Sequence, residues 1–132
     1  MNDDQFLTAF ESATLPAGEF HHRDHLRMAW LYVRRDGRER GVEAAANSLR
    51  RFAAAKGVPQ LYHETLTHFW VRLMGHVAAA TPDHIQDFEA CLAHYHWLAD
   101  KSLPYRHYRR ETLDSAEARR AWAEPDLLPM SA

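Results

Sequence analysis

Apolar residues recur at spacings of three and four along most of this chain, the signature of helices that bury one face. Polar, glycine- and proline-bearing segments interrupt the pattern and divide it into five helices followed by an irregular C-terminal segment. The first helix is predicted from Asp3 to Ser12, with Phe6, Leu7 and Phe10 inward and Asn2 or Asp3 as its cap. A loop over LPAGEF follows. The second runs from His21 to Arg35 and stops at Asp36-Gly37, a turn signal; its inward stripe reads His22, His25, Leu26, Ala29 and Val33. The third covers Glu39 to Lys56, turns Val42, Ala45, Ala46, Leu49, Phe52 and Ala53 inward, and ends at Gly57 and Pro59. The fourth covers Tyr62 to Ala80 on a stripe of Leu66, Phe69, Trp70, Leu73 and Val77. The fifth is predicted from Pro82, a residue suited to a first helical turn, to Asp100, with Ile85, Phe88, Leu92, Tyr95 and Ala99 inward. Beyond it, KSLPYRHYRRE breaks the period, Asp114 to Trp122 predicts a short helix, and EPDLLPM reads as an extended tail.

The predicted fold class is therefore all-α: a single compact up-and-down bundle of about five helices with an irregular C-terminal segment, one domain over residues 1–132. Short connections make successive helices antiparallel neighbours. Helices two and four then start at the same pole of the bundle, and helix five ends there. That pole would collect His21, His22, Asp24 and His25, then His63 and Glu64, then Lys101 and the run from Tyr105 to Arg109. The opposite pole holds the Asp36-Gly37 turn and the loop after Ala80, with far less chemistry.

Composition narrows the choice of function. The chain has 132 residues, 46% of them hydrophobic and 26% charged, a globular balance with enough length to bury a core. A net charge of −2 argues against nucleic acid as a partner. No apolar run approaches the roughly 20 residues of a membrane span. The acidic start MNDDQFLTAF lacks the pattern of a secretion signal, so a cytoplasmic location is expected. The single cysteine, Cys91, excludes an internal disulfide and reads as a small buried hydrophobe. Ten histidines are the outlier.

Three strings carry the candidate chemistry. In FHHRDH, His21 and His25 are four apart and His22 and His25 three apart, so either pair lies on one helix face, close enough to share a metal. Asp24 would ligate or hold a histidine's second nitrogen. The plain alternative is a polar start to an amphipathic helix. In YHET, His63 flanks the inward stripe and is a third candidate ligand; Glu64 is a candidate general base, or simply a favourable acid at a helix N-terminus. In YRHYRR, His107 is a further ligand or acid/base group. Lys101, Tyr105, Arg106 and Arg109 are candidates for holding a carboxylate or phosphate, against the alternative of a solvated basic loop. Of the other histidines, His68 is expected to be exposed, His76 and His84 sit near the poorer pole, and His94 and His96 fall late in helix five.

Two helix N-termini at one pole favour an anion there. Two functions from different classes follow. One is a small metal-dependent enzyme acting on a small anionic metabolite, with His22, His25 and His63 binding zinc, iron, copper or nickel and His21 or His107 as substitutes. Hydrolase, lyase and oxygenase chemistry all remain open to it. The other is a metal-free module that binds a small anion. A third reading is a homodimer formed through tryptophans and the apolar tail LLPM. In geometric terms, His22, His25, His63 and His107 should meet at one pole, with Arg106 in reach of the same space.

The strings FHHRDHLRMAWLY, YHETLTHFW and YRHYRRETLDSAEARRAWAEPDLLP resemble a small family of bacterial proteins without an assigned function, a likeness that covers much of the chain. It implies a histidine-rich helical bundle and no particular reaction. Histidine-ligated bundles such as the DinB-like metal proteins are similar in architecture alone.

Overall fold

A single residue joins the second and third helices. In the computed structural model, which describes residues 1–130, α2 (His22–Asp36) passes into α3 (Arg38–Ala55) through Gly37. Its φ of +86° and ψ of 175° lie where only glycine enters without strain. The turn folds α3 back along α2. One helical turn later Gly41 meets the other helix: a Cβ there would stand 2.7 Å from Val33 Cα and 3.0 Å from the Tyr32 carbonyl. Buried Ala45 and Ala46 continue this small-residue seam, which lets the two backbones approach closely. Across it the buried Tyr32 hydroxyl donates to Ser48 Oγ at 2.9 Å.

α4 (Glu64–Ala80) packs on both α2 and α3, so these three helices form the body of the bundle. Phe10, Leu26, Ala29, Trp30, Met74, Cys91 and Leu98 are sealed within or against it. α1 (Asp3–Glu11) lies against α3 and delivers Phe6 and Phe10. Its start is fixed by a reciprocal cap: Asn2 Oδ1 accepts the Gln5 N–H at 2.8 Å, and Gln5 Oε1 accepts the Asn2 N–H at 2.9 Å.

The fifth helix is much shorter than its apolar stripe predicts. α5 spans Phe88–His94 alone, and a 3₁₀ turn over His96–Ala99 follows it. Ile85 is the only apolar side chain between Pro82 and Asp87, so that stretch has no face to bury and makes just one turn, Ile85 N–H to the Pro82 carbonyl. Asp87 then starts the helix by accepting the Ala90 N–H at 2.7 Å.

The C-terminal segment is irregular as predicted, and it closes a second small core against α4. A 3₁₀ turn at Leu103–Arg106 leads to α6 (Arg110–Asp114) and α7 (Ala116–Arg120), the latter capped by Ser115. Phe69, Tyr108 and Leu113 are buried there, flanked by Leu66, Leu73 and Trp122. Thr65 is the anchor. Its Oγ1 lies 2.7 Å from the Ala118 carbonyl and 2.9 Å from that of Ala121, and accepts the Ala123 N–H at 3.0 Å. Among the described residues there is no strand, and no helix is long and apolar enough to cross a membrane.

Candidate functional site

The shared pole exists and is hollow. A cleft of about 550 Å³ opens between the starts of α2 and α4, the end of α3, the loop before α4 and the 101–105 segment. Six of the residues singled out from the sequence line it: His21, His22, His25, His63, Lys101 and Tyr105. Its walls are mainly apolar, with Phe20, Leu49, Phe52, Leu66, Trp70 and Val71 among them.

Each histidine's hydrogen bond fixes its proton, because a carbonyl only accepts. His25 Nδ1 lies 3.1 Å from the His21 carbonyl, so Nδ1 carries the hydrogen and Nε2 is a bare acceptor with no partner among the described residues. Its ring packs on Phe20, centroids 4.4 Å apart. His22 is the opposite tautomer: Nε2 donates to the Leu98 carbonyl at 3.0 Å, which leaves Nδ1 bare, and the ring meets Trp70 edge-on. Burial pushes both rings below the ordinary histidine range, His25 to about 4, and the nearby Lys101 charge adds to this for each. Both are therefore neutral at physiological pH.

His63 is committed elsewhere. Its Nδ1 accepts the Leu66 N–H at 3.1 Å and caps α4, while Nε2 donates to the Leu113 carbonyl at 2.7 Å. Both ring nitrogens are used, and burial lowers its pKa as well. The two helix ends are likewise engaged. Asp24 accepts the His21 N–H at 3.0 Å rather than facing the cleft, and the His63 ring occupies the α4 terminus. Lys101 is exposed, and no carboxylate lies within ion-pair distance of it among the described residues.

Four sequence candidates lie outside the cleft. Glu64 follows His63 in the helix, and a step of one residue turns its side chain about 100° away. It accepts from the Tyr62 hydroxyl and sits 3.5 Å from Arg50 and 3.4 Å from His68 Nε2. Tyr62 is pushed up to about 12 by burial and by that bond. His107 turns to the tail: Nδ1 donates to the Leu128 carbonyl at 2.7 Å, and the ring packs on Phe69. Arg106 and Arg109 are exposed, and Arg109 is held through its backbone N–H by Asp126 at 2.9 Å. The geometric expectation thus holds for His22, His25 and His63 and fails for His107 and Arg106, because the 3₁₀ turn at Leu103–Arg106 carries the chain off along α4.

Among the described residues, no three His, Cys, Asp or Glu side chains are gathered so as to hold a metal ion. The donors present also fit one poorly: His63 has no free nitrogen, which leaves one bare nitrogen each on His22 and His25. What the cleft can do is enclose an apolar body, meet it with neutral acceptors and offer one cation at its mouth.

Residues that pattern reasoning passed over also matter. Phe20 lies in a segment read only as a loop, and an aromatic in an otherwise polar loop is the signal that could have found it. Thr67 lines the cleft with a hydroxyl that has no partner among the described residues. His68, expected to be exposed, is largely buried beside Trp122, and its Nδ1 has no hydrogen-bond partner. Of the tryptophans only Trp97 is exposed, as are Leu127 and Leu128 of the tail. Comparison of the chain with protein-family models, curated proteins and solved structures finds no match.

Proposed function

We propose that this chain binds a small anion with an apolar body in the cleft, without a metal. The observation that carries the reading is a largely apolar space of about 550 Å³ with the free ammonium group of Lys101 at its edge. Its size falls within the roughly 300–1,000 Å³ of small-molecule sites, which combine apolar walls with few polar groups. The ligand's body would lie on Phe20, Phe52 and Trp70, and its acid would face Lys101. A histidine that stays unprotonated down to about pH 4 is a weak base, which favours binding over proton-transfer chemistry at this site.

Thermal-shift and calorimetric titration with phenylacetate, benzyl alcohol and inorganic phosphate tests this. Phenylacetate should bind saturably and raise Tm, and chelator treatment should leave the shift intact. The neutral alcohol and the phosphate should each fall well short of it. Lys101→Met should weaken phenylacetate binding roughly three- to tenfold, the scale of one partly exposed charge pair. Binding unaffected by Lys101→Met would overturn the placement of the acid. About one transition metal per chain in freshly purified protein would overturn the metal-free reading in favour of the metal-dependent enzyme.

A further inference from the structure

One polar group of the cleft wall, the His25 ring, names its ligand more closely. His25 presents Nε2 as a lone pair, because its only N–H is spent on the His21 carbonyl. His22 likewise spends its N–H on the Leu98 carbonyl. His63 offers neither a hydrogen nor a lone pair. The Tyr62 hydroxyl, another lining group, donates to Glu64 on the far side of the wall. The lining donors are the Trp70 indole N–H, the Tyr105 and Thr67 hydroxyls, the His21 ring and the Lys101 ammonium group, none of which is hydrogen-bonded to the His25 ring. A ligand that is all acceptor beyond its acid group would leave His25 Nε2 unpaired in an apolar pocket, and an unmet buried acceptor costs more than a met one returns.

We propose that the cleft selects anions whose apolar body carries a neutral hydrogen-bond donor, a hydroxyl or a ring N–H, and that His25 Nε2 is the acceptor that reads it. The inference rests on the anion-binding reading above and adds the ligand class to it: hydroxyaryl or indole-type carboxylates rather than plain aryl ones. His25 suits the role for three reasons. Its ring is clamped on Phe20, its Nδ1 bond fixes the tautomer, and its position in the first turn of α2 holds it on the rigid part of the bundle. An anion's acid group is not its partner, because a neutral acceptor and a carboxylate have no hydrogen to share.

The test uses matched acids on the intact chain. The probes are phenylacetate, its three hydroxy isomers, the corresponding methoxy isomers, and indole-3-acetate beside its N-methyl analogue. At least one donor-bearing acid should bind the parent protein about three- to tenfold more tightly than both its methylated and its unsubstituted counterparts, the worth of one neutral hydrogen bond. His25→Phe keeps an aromatic ring on Phe20 and removes the lone pair. With no lone pair left to meet, the affinity ratio of donor-bearing to methylated acid within this variant should fall to within about twofold. His25→Gln, which restores an acceptor, should recover part of the preference, and Thr67→Val should retain it. The preference should also persist at pH 5, where an ordinary histidine would be protonated.

Equal binding of the donor and methylated acids by the parent overturns this inference and leaves the anion site standing. So does a preference that survives in both His25 variants equally. No saturable binding of any acid overturns the anion site and this inference together.

Discussion

Replacing His63 separates a structural histidine from a ligand-binding one. His63→Ala removes two bonds at once from a residue that is 7% exposed. Loss of the cap on the Leu66 N–H is worth about 1 kcal/mol, the usual cost of replacing a good cap by alanine. Leaving the Leu113 carbonyl without its donor adds roughly 1–3 kcal/mol, because that bond is buried. The total is about 2–4 kcal/mol, a large share of the stability of a domain this size. His63→Asn restores the cap but is too short to reach Leu113, so it should recover only the smaller part. The assay is urea unfolding followed by helical circular dichroism at neutral pH, with ΔΔG from the transition midpoints. Hydrogen exchange over residues 108–123 should show the C-terminal segment losing protection in both variants. An alanine variant within 0.5 kcal/mol of the parent would refute the reasoning, as would an asparagine variant no more stable than the alanine one.

Three further outcomes follow from the same structure. Gly41→Ala forces a Cβ to within 2.7 Å of the α2 backbone and should cost about 2 kcal/mol or more, whereas Gly18→Ala, with open space around it, should be near neutral; similar Tm values for the two would show that the helices slide apart freely. Thr65→Val leaves the Ala123 N–H and at least one carbonyl unmet, and should cost roughly 2–3 kcal/mol in the same unfolding assay. Acid should weaken the fold through His25: the unfolded ring binds a proton near pH 6.5, the folded one only near 4, so the unfolded state holds more protons between these values and stability falls as pH drops through the window. The gap corresponds to roughly 3 kcal/mol, and His25→Phe should lose that part of the slope. Parallel losses in parent and variant between pH 7 and 4.5 would assign the acid sensitivity to other groups.

How much of this could be read from the chain depends on the distance over which each feature is decided. The first four helices are set by local spacing and by caps such as Asn2 and Gly37, and the structure places them within a few residues of expectation. The common pole of His22, His25, His63 and Lys101 follows from short loops alone. The start of the fifth helix was not legible, because Ile85 falls in register with Phe88 and Leu92 on paper and is buried in the core, yet it is the one apolar residue of Thr81–Asp87 and does not sustain a helical face. The role of His63 was hidden for another reason: its Nε2 partner, Leu113, is 50 residues away, and its position depends on a path that no periodicity records. The turn at Leu103–Arg106 that diverts His107 and Arg106 is likewise a product of packing on Phe69 and Leu66 rather than of local pattern. Glu64 was separable from His63 on helical geometry alone, since neighbours on a helix point about 100° apart.

The one-residue link at Gly37 bears on the order in which the chain assembles. α2 and α3 meet through contacts of small sequence separation, so their pairing closes a short loop at little entropic cost. The second core is the reverse case: Thr65 waits for Ala118, Ala121 and Ala123, and Phe69 for Tyr108 and Leu113. A chain emerging from its N-terminus can thus complete the α2–α3 hairpin while α4 still has one flank bare. That flank, with Phe69 exposed along it, stays open until the segment from Tyr108 to Ala123 has been made. The interval before closure is the stage at which a chaperone, or another nascent copy, would find an apolar surface to hold.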